Sequence, residues 1–169
     1  MDFRVDQSGG VHFVYVLPFD ARTALVEDTY FSPGLAEDRD VYRRQLRAYL
    51  EERYALGGGD FELLHEEHGV IPMTTEPFAP QPWPRLLRIG LAGGMAKPST
   101  GYAFAFIQRQ SAALAPRVLK EAVPRVPAPR SAWTELLDRV FLSYLAEHPE
   151  RGRDVLHTLF ARVPADVLV

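Results

Sequence analysis

The sequence predicts an α+β fold with a mostly antiparallel or mixed sheet and packed helices, and three observations carry that reading. Two runs rich in β-branched and aromatic residues stand close together near the start of the chain, and four later segments carry apolar residues at helical spacing. The order is strands, helix, strands, helices, with no internal repeat and no low-complexity segment.

The first two strands are "VHFVYVLPF" (11 to 19) and "TALVEDTYF" (23 to 31), separated by "DAR" in the pattern of a hairpin. Alternation in the second puts Leu25, Glu27, Thr29 and Phe31 on one face and Val26, Asp28 and Tyr30 on the other. Its two adjacent carboxylates therefore point opposite ways. From Asp40 to about Tyr54, Tyr42, Leu46, Tyr49 and Leu50 recur at helical spacing while Arg43, Arg44, Arg47, Glu51 and Glu52 fill the other side, and Gly57-Gly58-Gly59 ends the helix.

"FELLHEEHGVIPM" (61 to 73) reads as a strand, and four prolines between Pro77 and Pro84 then forbid regular structure. "RLLRIGLAGG" (85 to 94) returns to strand, and residues 101 to 115 form a helix with Ala103, Phe106, Ile107 and Leu114 inward. A second proline-rich stretch, "VPRVPAPR" (123 to 130), precedes two closing helices. Ser131 caps the first, whose apolar stripe is Trp133, Leu136, Leu137, Val140, Phe141 and Tyr144; Val155, Leu156, Leu159 and Phe160 form the stripe of the second.

A chain of 169 residues with 47% apolar and 24% charged residues suffices for one ordinary domain with a core. The net charge of −3 mixes both signs without blocks, which leaves no electrostatic footprint for nucleic acid. No cysteine is present, so disulfides, thiolate nucleophiles and cysteine-ligated metals are excluded; this suits a reducing compartment, and the cytoplasm is the expected location. No uncharged run approaches the ~18 residues of a membrane span. No basic-then-apolar leader follows Met1.

Three constellations carry chemistry. Gly90, Gly93 and Gly94, followed by Lys97-Pro98-Ser99-Thr100-Gly101, lie between a strand and a helix, where free backbone N–H groups accept an anion; glycines also serve tight turns, and neither GxGxxG nor a Walker loop is present. Glu27, set between Leu25 and Thr29, would be partly desolvated, which favours a protonated carboxyl able to donate; on an exposed edge strand both Glu27 and Asp28 would simply sit in water. In His65-Glu66-Glu67-His68, strand alternation splits the four between two faces and HExxH spacing is absent, so no metal site is expected.

Taken in order, "MDFRV", "FVYVLPF", "ALVEDTYFS", "EEHGVIPM" and "RIGLAGGMAKPSTGYAFAFIQRQS" resemble the lycopene cyclase family, strongly over roughly residues 1 to 115 and weakly beyond. The resemblance implies a p-hydroxybenzoate hydroxylase-like FAD/NAD(P)-binding flavoprotein fold, of which this chain is similar to the C-terminal portion. GxGxxG and the ribose-binding acid of the Rossmann half are not in this sequence, so the chain is expected to be a fragment begun at an internal methionine and stopped early. Within that frame, residues 1–90 correspond to a substrate-domain sheet and helix, 91–122 to a flavin-contacting loop and helix, and 123–169 to a C-terminal helical segment.

The resemblance further implies that Gly93, Gly94, Lys97, Pro98, Ser99, Thr100 and Gly101 contact FAD. "LVEDT" falls where related plant cyclases carry F-L-E-E-T, which makes Glu27 the family's catalytic acid, with Asp28 in place of the second glutamate. The implied reaction is acid-catalysed closure of the linear end groups of lycopene to β-rings, without net oxidation. It requires reduced FAD, supplied with electrons by NAD(P)H, whose anionic ring would oppose the developing cation. The membrane-dissolved substrate implies peripheral membrane association of the complete enzyme, with Trp83 or Trp133 as contacts, and an inactive fragment when alone. A geranylgeranyl reductase-like flavoprotein and a non-catalytic remnant are the alternative readings.

Overall fold

The computed structural model describes residues 1–32, 34, 38–126, 128 and 130–163. Prolines 127 and 129 of the second proline-rich stretch, and the closing "PADVLV", lie outside the described residues. The described residues divide into two compact units, 1–70 with 148–163, and 71–147.

In the first unit, β1 (Val11–Pro18) and β2 (Ala24–Phe31) form the expected antiparallel hairpin, with Val14 opposite Asp28 and Tyr15 opposite Glu27. Asp20 makes the turn, its Oδ1 accepting the N–H groups of Arg22 (2.7 Å) and Thr23 (2.8 Å). Gly10 opens β1 at φ +118, and a Cβ there would stand 2.8 Å from the Phe31 carbonyl oxygen, so only glycine allows this start. Asp2 bridges to Val14 on the free edge of β1. Phe13, 1% exposed, is the centre of the unit's aromatic core, meeting Phe3, Tyr15 and Phe31 edge-on with centroids 5.1–5.5 Å apart.

Helix α1 (Arg39–Tyr54) starts on the Asp38 side chain, which accepts the Asp40 N–H. It ends at Ala55 in the left-handed conformation (φ 55), two residues before the glycines. Tyr42, Leu46, Tyr49 and Leu50 form its less exposed side, and Arg43, Arg44 and Arg47 its solvated one, as the periodicity predicts. Gln45 donates to the Tyr30 hydroxyl (2.8 Å), and the Tyr42 ring meets Tyr30 edge-on, which fastens α1 to β2.

In the second unit a 3₁₀ turn (Gly90–Gly93) leads through the glycine-rich loop into α2 (Phe104–Lys120), and α3 (Ala132–Glu147) follows. Ser131 caps α3 through the Thr134 N–H (3.1 Å). Helix α4 (Gly152–Arg162) closes the first unit with Leu156 buried.

Two expectations need correction. The strands read over 61–73 and 85–94 do not form; besides β1 and β2 the described residues contain only isolated bridges, and Leu63, Leu64, Val70 and Ile71 stay exposed. β-propensity reports fit to a neighbouring strand, and these segments have none among the described residues. The apolar stripe of α3 is not its inner side: Trp133, Leu136, Leu137 and Val140 are exposed, while Asp138 and Leu145 are buried. The reason is the set of polar partners that Asp138 finds on the glycine-rich loop.

Candidate functional site: an acidic hairpin and a glycine-rich loop

The two faces of β2 separate Glu27 from Asp28, as alternation requires. Glu27 is exposed rather than partly desolvated as its neighbours Leu25 and Thr29 suggest, because Leu25 itself is exposed, and Thr29 Oγ1 donates to its Oε1 at 3.0 Å. Tyr15 lies across from it, half-buried, its phenol pushed up first by burial and then by the Glu27 charge. Leu17 and Leu25 are exposed on the same face. Glu27 thus stands on a surface of aromatic and aliphatic side chains, with one hydroxyl donor at hand.

Asp28 has the opposite setting. Its carboxylate is 2% exposed, and Oδ1 lies 2.5 Å from Nε2 of His12, whose side chain is 4% exposed. Nδ1 of the same ring lies 2.7 Å from the Asp6 carbonyl oxygen, and the ring stacks on Tyr30 with centroids 3.8 Å apart at 15°. Asp28 Oδ2 is buried without a hydrogen-bond partner. Gln7 holds the approach, accepting the His12 N–H and donating to the His12 carbonyl (2.7 Å).

The glycine-rich loop is shaped largely from within. Gly101 N–H donates to the Lys97 carbonyl (2.8 Å), Lys97 N–H to the Tyr102 carbonyl (2.8 Å) and Tyr102 N–H to Thr100 Oγ1 (3.4 Å). Its glycines answer local geometry: a Cβ on Gly93 would stand 2.4 Å from the Arg88 carbonyl oxygen, and Gly94 and Gly101 adopt φ +78 and +70. Lys97 Nζ donates to both Ser99 Oγ (2.8 Å) and Asp138 Oδ1, and Ser99 Oγ donates to Asp138 Oδ1 (2.6 Å). From α3's side, Arg130 donates to the carbonyls of Gly94 (3.1 Å) and Ala96 (3.3 Å).

The remaining candidates serve packing. Arg43 grips Glu66 through Nε and Nη2 at 2.7–3.0 Å, and His68 meets the Tyr42 ring edge-on. Among the described residues, no three His, Asp or Glu side chains converge on a metal position.

Sequence reasoning missed His12, Tyr30, Asp138 and Arg130. His12 carried a usable signal: hairpin register sets it on the Asp28 face, one diagonal step from that carboxylate. For Asp138 no local signal exists, because Lys97 is 41 residues away.

The family model described as lycopene cyclase protein matches residues 1–169. The chain belongs to the lycopene cyclase family. A lycopene beta-cyclase of Pantoea ananas is 35% identical over 104 residues, which is 60% of this chain and 26% of that protein. Those of Pseudescherichia vulneris (33% over 105 residues; 60% and 26%) and Paracoccus sp. strain N81106 / MBIC 01143 (29% over 110 residues; 63% and 28%) are similar. The aligned part spans about a quarter of the length of these curated relatives. No solved structure matches the chain.

Proposed function

We propose that this chain supplies the proton-donating strand of a lycopene β-cyclase, an isomerase that closes the linear end groups of a carotenoid into β-rings. The observation that carries the reading is Glu27: within "LVEDT", it is exposed at the open end of a hairpin face, beside Tyr15, Leu17 and Leu25 and next to the buried Phe13. A hydrocarbon laid on that face meets a carboxyl group among apolar neighbours. Protonated Glu27 adds its proton to the terminal double bond, and the resulting tertiary cation is attacked by the neighbouring alkene to form the ring. Loss of a ring proton to the carboxylate then restores both the alkene and the acid. Atoms and electrons balance with no oxidant. Thr29, donating to Glu27 Oε1, holds the carboxyl's orientation.

Reduced FAD, with NAD(P)H as reductant, and the flavoprotein fold belong to this reading through the family resemblance. The side chains of Lys97 and Ser99 do not fit as phosphate ligands, since both are engaged with Asp138, and the N–H groups of Gly94, Lys97, Thr100 and Gly101 are bonded to main-chain carbonyls of the same segment. Peripheral association with a membrane is part of the reading too, supported by the exposed stripe Trp133, Leu136, Leu137 and Val140; no helix among the described residues is long and apolar enough to cross one.

The test is Glu27→Gln in a full-length cyclase bearing this segment, expressed in lycopene-accumulating cells. Removal of the acid lowers conversion to cyclic carotene by about 100-fold or more, with flavin content unchanged. Conversion within threefold of the parent would refute the assignment.

A further inference from the structure

We propose that His12 is a positioning residue for this proton donor: it shares one proton with Asp28 on one face of β2, and so holds Glu27 as the only carboxylate of "LVEDT" on the other. The inference rests on the reading of Glu27 as the acid, but the pair itself stands on geometry alone.

A carbonyl oxygen only accepts, so the 2.7 Å contact from the Asp6 carbonyl requires a proton on His12 Nδ1. A neutral ring would then present a bare Nε2 to the carboxylate, and two lone pairs would face each other across 2.5 Å. A proton must occupy that contact. Whether it is assigned to the imidazole or to the carboxyl, the pair has no net charge. That neutrality is what permits both side chains to be almost wholly buried.

The ring is held on several sides: Asp6 through its carbonyl, Tyr30 through its face, and Asp28 through the shared proton. Tyr30 is in turn fixed by Gln45 and Tyr42 of α1. The consequence concerns register. Glu27 and Asp28 are adjacent acids, and a slip of β2 by one residue would exchange their faces. Only the inward acid meets an imidazole, so His12 decides which carboxylate stays inside.

Two measurements test this. In the ¹⁵N-labelled chain at neutral pH, His12 is expected to carry a protonated Nδ1 and to show a slowly exchanging, far-downfield proton at the Nε2 contact, lost in Asp28→Asn. A His12 spectrum matching that of exposed His65 would overturn the proposal without any variant having to fold. In the full-length cyclase, His12→Gln strands a buried carboxylate and lowers conversion by about 100-fold. The double variant His12→Gln/Asp28→Asn leaves two neutral amides and recovers to within about tenfold of the parent. If Asp28 itself gave the proton, the double variant would convert no better than His12→Gln, and that result also overturns the proposal. A downfield proton in a parent enzyme that converts no lycopene would refute the cyclase reading and leave the shared proton standing.

Discussion

Asp138→Asn tests whether one buried carboxylate sets the shape of the glycine-rich loop. The substitution keeps size and leaves no cavity, so its effect is electrostatic. In the parent, Oδ1 accepts from Lys97 and Ser99, and Oδ2 lies 4.0 Å from the Arg130 Nε, a side chain only 8% exposed. Hydrogen bonds to a charged group contribute about 1 kcal/mol more than neutral ones, which amounts to about 2 kcal/mol for two. The buried Arg130 guanidinium also loses its counter-charge, a change that costs up to about 3–5 kcal/mol when nothing else compensates. Here the Gly94 and Ala96 carbonyls retain Arg130, and Lys97 is 27% exposed to water, so about 3 kcal/mol is the expected total. The assay is amide hydrogen exchange at Lys97 and Gly101, whose N–H groups close the loop. A loss of 3 kcal/mol in local opening speeds their exchange by on the order of 100-fold. The amides of β1, in the other unit, serve as the internal standard. Acceleration of less than threefold would show that the loop holds its shape without Asp138.

Gly93→Ala drives a Cβ to 2.4 Å from the Arg88 carbonyl oxygen and forces main-chain displacement, an overpacking cost of about 1–3 kcal/mol. Gly58→Ala, in open space, is the control, and equal urea midpoints for the two variants would refute the argument. Tyr30 is pushed up to about 12 from the ordinary 10, by burial first and the Asp28 charge second, with the Gln45 hydrogen bond opposing. A raised folded value means that its contribution is complete below pH 10 and is lost as pH rises towards 12. Tyr30→Phe should therefore lose less stability than the parent across that interval; identical alkaline losses by denaturant titration would contradict the shift.

Much of the local structure was legible in the sequence. The β1–β2 hairpin and helices α1 to α4 stand close to where alternation, helical spacing and the Ser131 cap put them, because these signals act between near neighbours. The strands read over 61–73 and 85–94 failed for the complementary reason. A β-rich composition says that a segment would suit a sheet, and supplies no partner strand. On α2 the apolar pattern found Leu114 but not Gln110, whose Oε1 accepts the Gly90 N–H at 3.1 Å.

By itself the sequence determined the hairpin, the four helices, the opposed directions of Glu27 and Asp28, and the family. Tertiary structure decided which of the two acids is buried, since that depends on an imidazole 16 residues away finding Asp28 across the sheet. It likewise decided that α3 turns Asp138 inward and leaves Trp133, Leu136, Leu137 and Val140 outside. Helical periodicity records hydrophobicity along one segment, whereas the orientation of a buried charge is set by partners from distant segments, because an unpaired one costs more than an exposed apolar stripe.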